Sequence, residues 1–157
     1  MRKKIIKQTP EKESPAAQSG LDVEHLAQIE LTSEDPAHPI EAAFTSADET
    51  GWVAAEPGEQ TIRLLFDEPQ KIRRIQLLFH EKEQARTQEF LLRWLPTGDR
   101  SYREIVRQQY NFSPPHSTEQ SEEYTVDLDA VSALELRITP NISGKEAFAS
   151  LSHFQIN

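Results

Sequence analysis

Residues 123–139 read EYTVDLDAVSALELRIT. Tyr124, Val126 and Leu128 share even parity, and Leu134, Leu136 and Ile138 take it up again, while Glu135 and Arg137 fall on the other parity. A period of two with one dry and one wet face is the signature of β-strands. Working outward, the same pattern recurs in Ile29 and Leu31, in Phe90, Leu92 and Trp94, and in Tyr102, Val106, Tyr110 and Phe112. Parity slips between Ile72 and the set Ile75, Leu77 and Phe79, and again between Leu151 and the pair Phe154 and Ile156. A bulge at each slip would return both apolar sets to the core. Turn residues at Asp67-Glu68-Pro69, Pro96-Thr97-Gly98-Asp99, Ser113-Pro114-Pro115, Pro140-Asn141 and Ser143-Gly144 divide the runs. The pattern predicts eight strands, near 25–33, 60–66, 71–79, 88–95, 102–112, 123–128, 133–139 and 148–156. Short joins and the lack of a long helical pattern give an all-β class, an eight-stranded antiparallel jelly-roll β-sandwich. Only residues 36–50 leave room for a turn or two of helix, and this is also the longest connection.

A chain of 157 residues is the size of one domain and can hold a core unaided. It has no cysteine, which excludes disulfides, thiolate nucleophiles and Cys-ligated zinc. The net charge of −9 disfavours a nucleic-acid binder, and no apolar run approaches the roughly 18 residues of a membrane span. Residues 1–20 carry five basic and two acidic side chains, so the folded part, residues 21–157, holds −12. Residues 1–20 read as a disordered basic leader. Ile5-Ile6 followed by Lys7 is not the apolar stretch of a secretory signal, so no signal peptide is evident and the cytoplasm is the default compartment. A monomer is expected.

The order Ile29-Glu30-Leu31-Thr32-Ser33, then Asp48-Glu49-Thr50-Gly51-Trp52-Val53-Ala54, then Gln60 to Asp67 resembles the opening of a discoidin, or coagulation-factor type C (F5/8 type C), domain of the galactose-binding-like superfamily. Leu134 to Ile138 is similar to the penultimate strand of that family, and Ala149 to Ile156 to its closing strand. The resemblance spans residues 25–157 and implies a galactose-binding domain-like sandwich acting as a binding module. It also implies that Trp52 is buried and that Asp48, Glu49 and Thr50 form the acidic loop that holds a structural calcium. No other cofactor is expected.

Catalysis finds little support. There is no glycine-flanked nucleophile, no G-x-G-x-x-G and no phosphate loop. The pairs Glu122-Glu123 and Asp127/Asp129 read as strand-surface and turn residues. The five histidines lack the spacing of a transition-metal site. A non-catalytic module is therefore expected. Strand alternation places the connections 34–59, 80–87, 113–122 and 140–147 at one end. The ligand-binding candidates there are His38, His80, Arg86, His116, Asn141 and Lys145, with Ser117 and Ser143 beside them. A guanidinium, imidazoles and an amide are donors and acceptors suited to sugar hydroxyls, and in the family this end holds sugar. Trp52 and Trp94 read as core rather than as sugar platforms. The outward residues Glu89, Arg93, Glu104, Arg107, Gln109, Thr125 and Asp127 offer the alternative of a polar sheet face that binds a protein partner.

Overall fold

The computed structural model describes residues 20–45 and 51–157. Gly20 and the short helix α1 (Val23–Leu26) lead into β1 (Ala27–Leu31). A 3-10 turn at Ile40–Ala43 is the helical piece of the long connection. Then come β2 (Trp52–Val53), β3 (Gln60–His80), β4 (Arg86–Pro96), β5 (Arg103–Phe112), β6 (Glu119–Thr139), β7 (Ser150–Leu151) and β8 (His153–Ile156).

The strands number eight but divide differently from the sequence expectation. The runs 60–66 and 71–79 form one 21-residue strand, β3, and the runs 123–128 and 133–139 form one 21-residue strand, β6. Pro69 lies inside β3, within the register shift between Leu65 and Gln70, where a missing N–H breaks no ladder bond. Ala130, at φ 53°, bends β6 at the matching level. Register shifts continue to Arg74, so the parity slip after Ile72 is a set of bulges. The slip after Leu151 has another cause. Leu151 pairs with Trp52 and Phe154 with Leu77, and Ser152 donates its N–H to the Leu78 carbonyl at 2.8 Å where the chain changes partners.

Both long strands run through two layers of one six-stranded sheet, and β2 pairs separately with β7. The first half of β3 pairs with β1 and with the second half of β6, which pairs with β4 and so reaches β5. The second half of β3 pairs with the first half of β6 and with β8. Phe79 of the second layer stacks on Phe90 of the first, with centroids 5.4 Å apart, and Phe90 meets Tyr124 edge-on at 6.5 Å. The layers thus face one another as an antiparallel sandwich, with Ile62, Leu64, Ile75, Leu77, Leu92, Leu134, Leu136 and Phe154 buried between them. Trp52 is fully buried and donates its indole N–H to the Ser33 carbonyl at 3.0 Å. Trp94 packs against the core but is only partly buried, with the Arg103 guanidinium 5.6 Å from its ring centre.

The wet face also differs from expectation. Thr125 and Asp127 lie in the first half of β6 and so belong to the second layer, apart from Glu89, Arg93, Arg107 and Gln109. Glu135 does point away from the core, yet its side chain is 0% exposed. Arg63 and Arg93, its cross-strand neighbours, fold over it at 2.9 and 2.5 Å, and Arg137 adds a third guanidinium at 3.6 Å.

Candidate site at the loop end

The four connections meet at one end. Arg86 Nη1 donates to the Pro140 carbonyl at 2.7 Å, and Ile142 N–H to the Thr87 carbonyl at 2.9 Å. Glu81 N–H reaches the Thr118 carbonyl at 2.8 Å, Gln84 Nε2 the Glu146 carbonyl at 3.1 Å, and Ala54 N–H the Ala149 carbonyl at 2.9 Å. These bonds fix loops that their own sequences leave unordered.

Between them lies a groove of about 460 Å³ lined by Val53, His80, Glu81, Lys82, Glu83, Gln84, Phe148, Ser150 and Ser152. His80 is held by two neighbours, its Nδ1 2.7 Å from Ser152 Oγ and its Nε2 3.4 Å from Glu119. Its side chain is 24% exposed, so it is oriented and still reachable from solvent. Phe148 is 43% exposed. Ala147, Ala149 and Leu151 turn inward and are buried, which sends Phe148 outward. A half-bare phenyl ring beside a positioned imidazole joins an apolar platform to a donor and acceptor, the pairing that sugar rings need on their C–H and hydroxyl sides.

The sequence candidates separate into several places. His80 lines this groove. His38 borders it, since its carbonyl accepts from Val53 N–H at 3.2 Å while its ring lies 3.4 Å from Asp35 Oδ2. His116 is exposed at the tip of the 113–117 turn, whose next residue, Thr118, bonds Glu81. Asn141 and Lys145 line a second groove on the other side of the 140–149 segment. Ser143 lies between them and donates to the Asn141 side-chain carbonyl at 2.9 Å.

Arg86 is the correction. Its side chain is 1% exposed and cannot serve as a surface ligand. Nε binds Glu81 at 2.7 Å, Nη1 binds Gln88 at 3.2 Å as well as Pro140, and the guanidinium lies 4.8 Å from the centre of the Phe112 ring. From Gln88 the bonds run on to the buried Gln120 and then to the half-buried Glu122. Burial pushes the Glu81 carboxyl up, but the Arg86 hydrogen bond and the N–H groups of Glu83 and Gln84 outweigh it and hold it below the ordinary range. Arg86 thus fixes the groove wall from beneath.

Asp48, Glu49 and Thr50 lie outside the described residues, as does the leader up to residue 19. Among the described residues no group of three or more His, Asp or Glu could hold a metal ion. Among them, too, no helix is long and apolar enough to cross a membrane. Phe148 and Lys82 were not singled out from the sequence. The inward parity of Ala147, Ala149 and Leu151 is the signal that would have found Phe148.

The fold is an antiparallel β-sandwich shared with solved carbohydrate-binding modules. No protein-family model matches the chain, and no significant relative is found among curated proteins. Its likeness is to solved structures. One is the family 32 carbohydrate-binding module of NanJ from C. perfringens in complex with galactose, 12% identical, with a TM-score of 0.60 over 83% of this chain and 92% of that one. Another is a pectin-binding carbohydrate-binding module, 17% identical, with a TM-score of 0.59 over 84% and 90%. A third is reduced XRCC1 bound to the DNA pol beta catalytic domain, 16% identical, with a TM-score of 0.56 over 84% and 95%.

Proposed function

We propose that this chain is a non-catalytic carbohydrate-binding domain and that the groove between His80 and Phe148 is its site. The observation that carries the reading is Phe148, a large apolar ring left exposed among polar loops at the end of a rigid sandwich. Phe148 would stack on the C–H face of a sugar, His80 would exchange hydrogen bonds with its hydroxyls, and Lys82 and Ser150 would add donors at the rim. His38 borders the opening, and Arg86 holds Glu81 in place. The likeness in fold to galactose-complexed and pectin-binding modules supports this reading. The test is binding of galactose and of pectin fragments to the wild type, Phe148→Ala and His80→Ala. Each variant is expected to lose at least tenfold in affinity, about 1.4 kcal/mol, with unchanged thermal stability for Phe148→Ala. Equal affinity in all three proteins would contradict the assignment.

A second reading has its own support. Arg107 bonds Glu89 at 2.8 Å and Gln109 bonds Glu89 at 2.9 Å, with Leu91 covered beside them, giving an ordered polar sheet face. Such a face suits a protein partner, and the XRCC1 complex has a similar fold. Arg107→Glu separates the two readings, since it would abolish protein capture and leave saccharide binding intact.

A further inference from the structure

The 140–149 segment has a groove on each side. The second, of about 430 Å³, is lined by Pro57, Gly58, Glu59, Thr139, Pro140, Asn141, Gly144, Lys145 and Glu146. We propose that the two grooves form one extended site that takes a chain of linked sugars, with one ring against Phe148 and further rings crossing the segment into the second groove. The proposal rests on the carbohydrate reading above and goes beyond it by naming the class of ligand, an oligosaccharide rather than a single terminal sugar.

Three observations carry it. The exposed large hydrophobic side chains among the described residues are Ile142, at 47%, and Phe148, and both lie in this one segment, Phe148 lining the first groove and Ile142 following directly on Asn141 of the second. An apolar side chain that faces water beside a polar cleft is available to cover the apolar C–H face of a sugar ring. Next, Glu146 lines one groove and Phe148 the other, with only the buried Ala147 between them. Two residues of extended chain span roughly 7 Å, so a ligand leaving the first groove enters the second without crossing a bare stretch of surface. Each groove also has the volume of a small-ligand site, roughly 300 Å³ or more.

The second groove is built for polar recognition. Asn141 gives its side-chain carbonyl to the N–H and hydroxyl of Ser143, at 3.1 and 2.9 Å, and its Nδ2 donates to no described residue. Pro57 and Pro140 stiffen the walls, and the Gly58 N–H bond to the Ala147 carbonyl at 3.0 Å pins one wall to the segment. A cleft held in this way loses little freedom when a ligand enters. Glu59, Lys145 and Glu146 offer acceptors and a donor at its rim.

The experiment is a calorimetric titration with galacturonic acid and its dimer, trimer and tetramer, and in parallel with galactose and GalNAc-β-1,3-galactose. Affinity is expected to rise at least tenfold from monomer to trimer in one series, or from monosaccharide to disaccharide in the other. In Ile142→Ser and in Lys145→Ala the gain with length should vanish while the monomer binds within about twofold of wild type, and Phe148→Ala should weaken every ligand. Affinity independent of length, or a length gain that survives both second-groove substitutions, would overturn the extended site and leave the single-groove reading standing. Absence of binding by every saccharide in both series would overturn the carbohydrate reading and this inference together.

Discussion

Replacing Arg86 with alanine is expected to destabilise the domain by about 3 kcal/mol. The substitution removes a guanidinium that satisfies Glu81, Gln88 and the Pro140 carbonyl and covers the face of Phe112. Breaking a fully buried pair by deleting one partner costs roughly 3–5 kcal/mol, because the other charge stays behind unpaired. The Glu81 side chain keeps 17% exposure, which lets water relieve part of that penalty and places the value at the lower end. For a domain of this size, about 3 kcal/mol corresponds to a fall in Tm of roughly 9 °C. The pH dependence has a definite sign. The folded Glu81 carboxyl is held below its ordinary 4.5, so its contribution is present above that pH and is lost as the pH falls through the lower folded value. The alanine variant lacks most of that contribution, so the gap between wild type and variant narrows in acid. Urea denaturation at pH 7 and pH 3 measures both effects. A loss below about 1 kcal/mol at pH 7, with an unchanged denaturant slope, would refute the claim that Arg86 is a structural anchor.

Gly51→Ala should cost more than about 2 kcal/mol by calorimetry. Gly51 sits at φ +61°, and a Cβ there would lie 2.3 Å from the Leu151 carbonyl oxygen, prising β2 from β7. Ala130→Gly, by contrast, should be neutral or stabilise by about 0.5 kcal/mol in urea, since relief of roughly 1–2 kcal/mol of left-handed strain exceeds the backbone entropy that glycine loses. Glu135→Gln should lose about 2–3 kcal/mol by leaving three guanidiniums around a neutral amide. Burial pushes the Glu135 carboxyl up, but the hydrogen bonds from Arg93 and Arg63 hold it low, so the stability difference between wild type and variant should shrink below about pH 4.5. Trp94→Ala should cost nearer 2 kcal/mol than the roughly 3–5 kcal/mol of a fully buried aromatic, as a denaturant series will show.

The sandwich was legible because period-two alternation depends on neighbours along the chain, as in Leu134, Leu136 and Ile138. Strand continuity was not. Asp67-Glu68-Pro69 has the composition of a turn, and only pairing on both sides keeps β3 extended through it. The gathering of the four loops was expected from strand alternation with reversals at 67–70 and 129–132, and bends within β3 and β6 at those levels take the place of the reversals. The fate of Arg86 was not legible, because its burial is decided by Pro140, 54 residues away, and by Phe112 on the neighbouring strand. Glu135 escaped for the same reason. Outward parity gives a direction, while burial depends on which side chains the adjacent strands lay over it.

The most direct test of the central claim is a titration of isotope-labelled protein with galactose, and separately with pectin fragments, followed residue by residue in amide NMR spectra. Saturable shifts confined to the segments carrying His80, Lys82, Phe148 and Ser150, with the β4–β5 face unchanged, are the predicted result. Saturable shifts centred on Glu89, Arg107 and Gln109, or no shifts with either ligand at millimolar concentration, would contradict a carbohydrate site at the loop end.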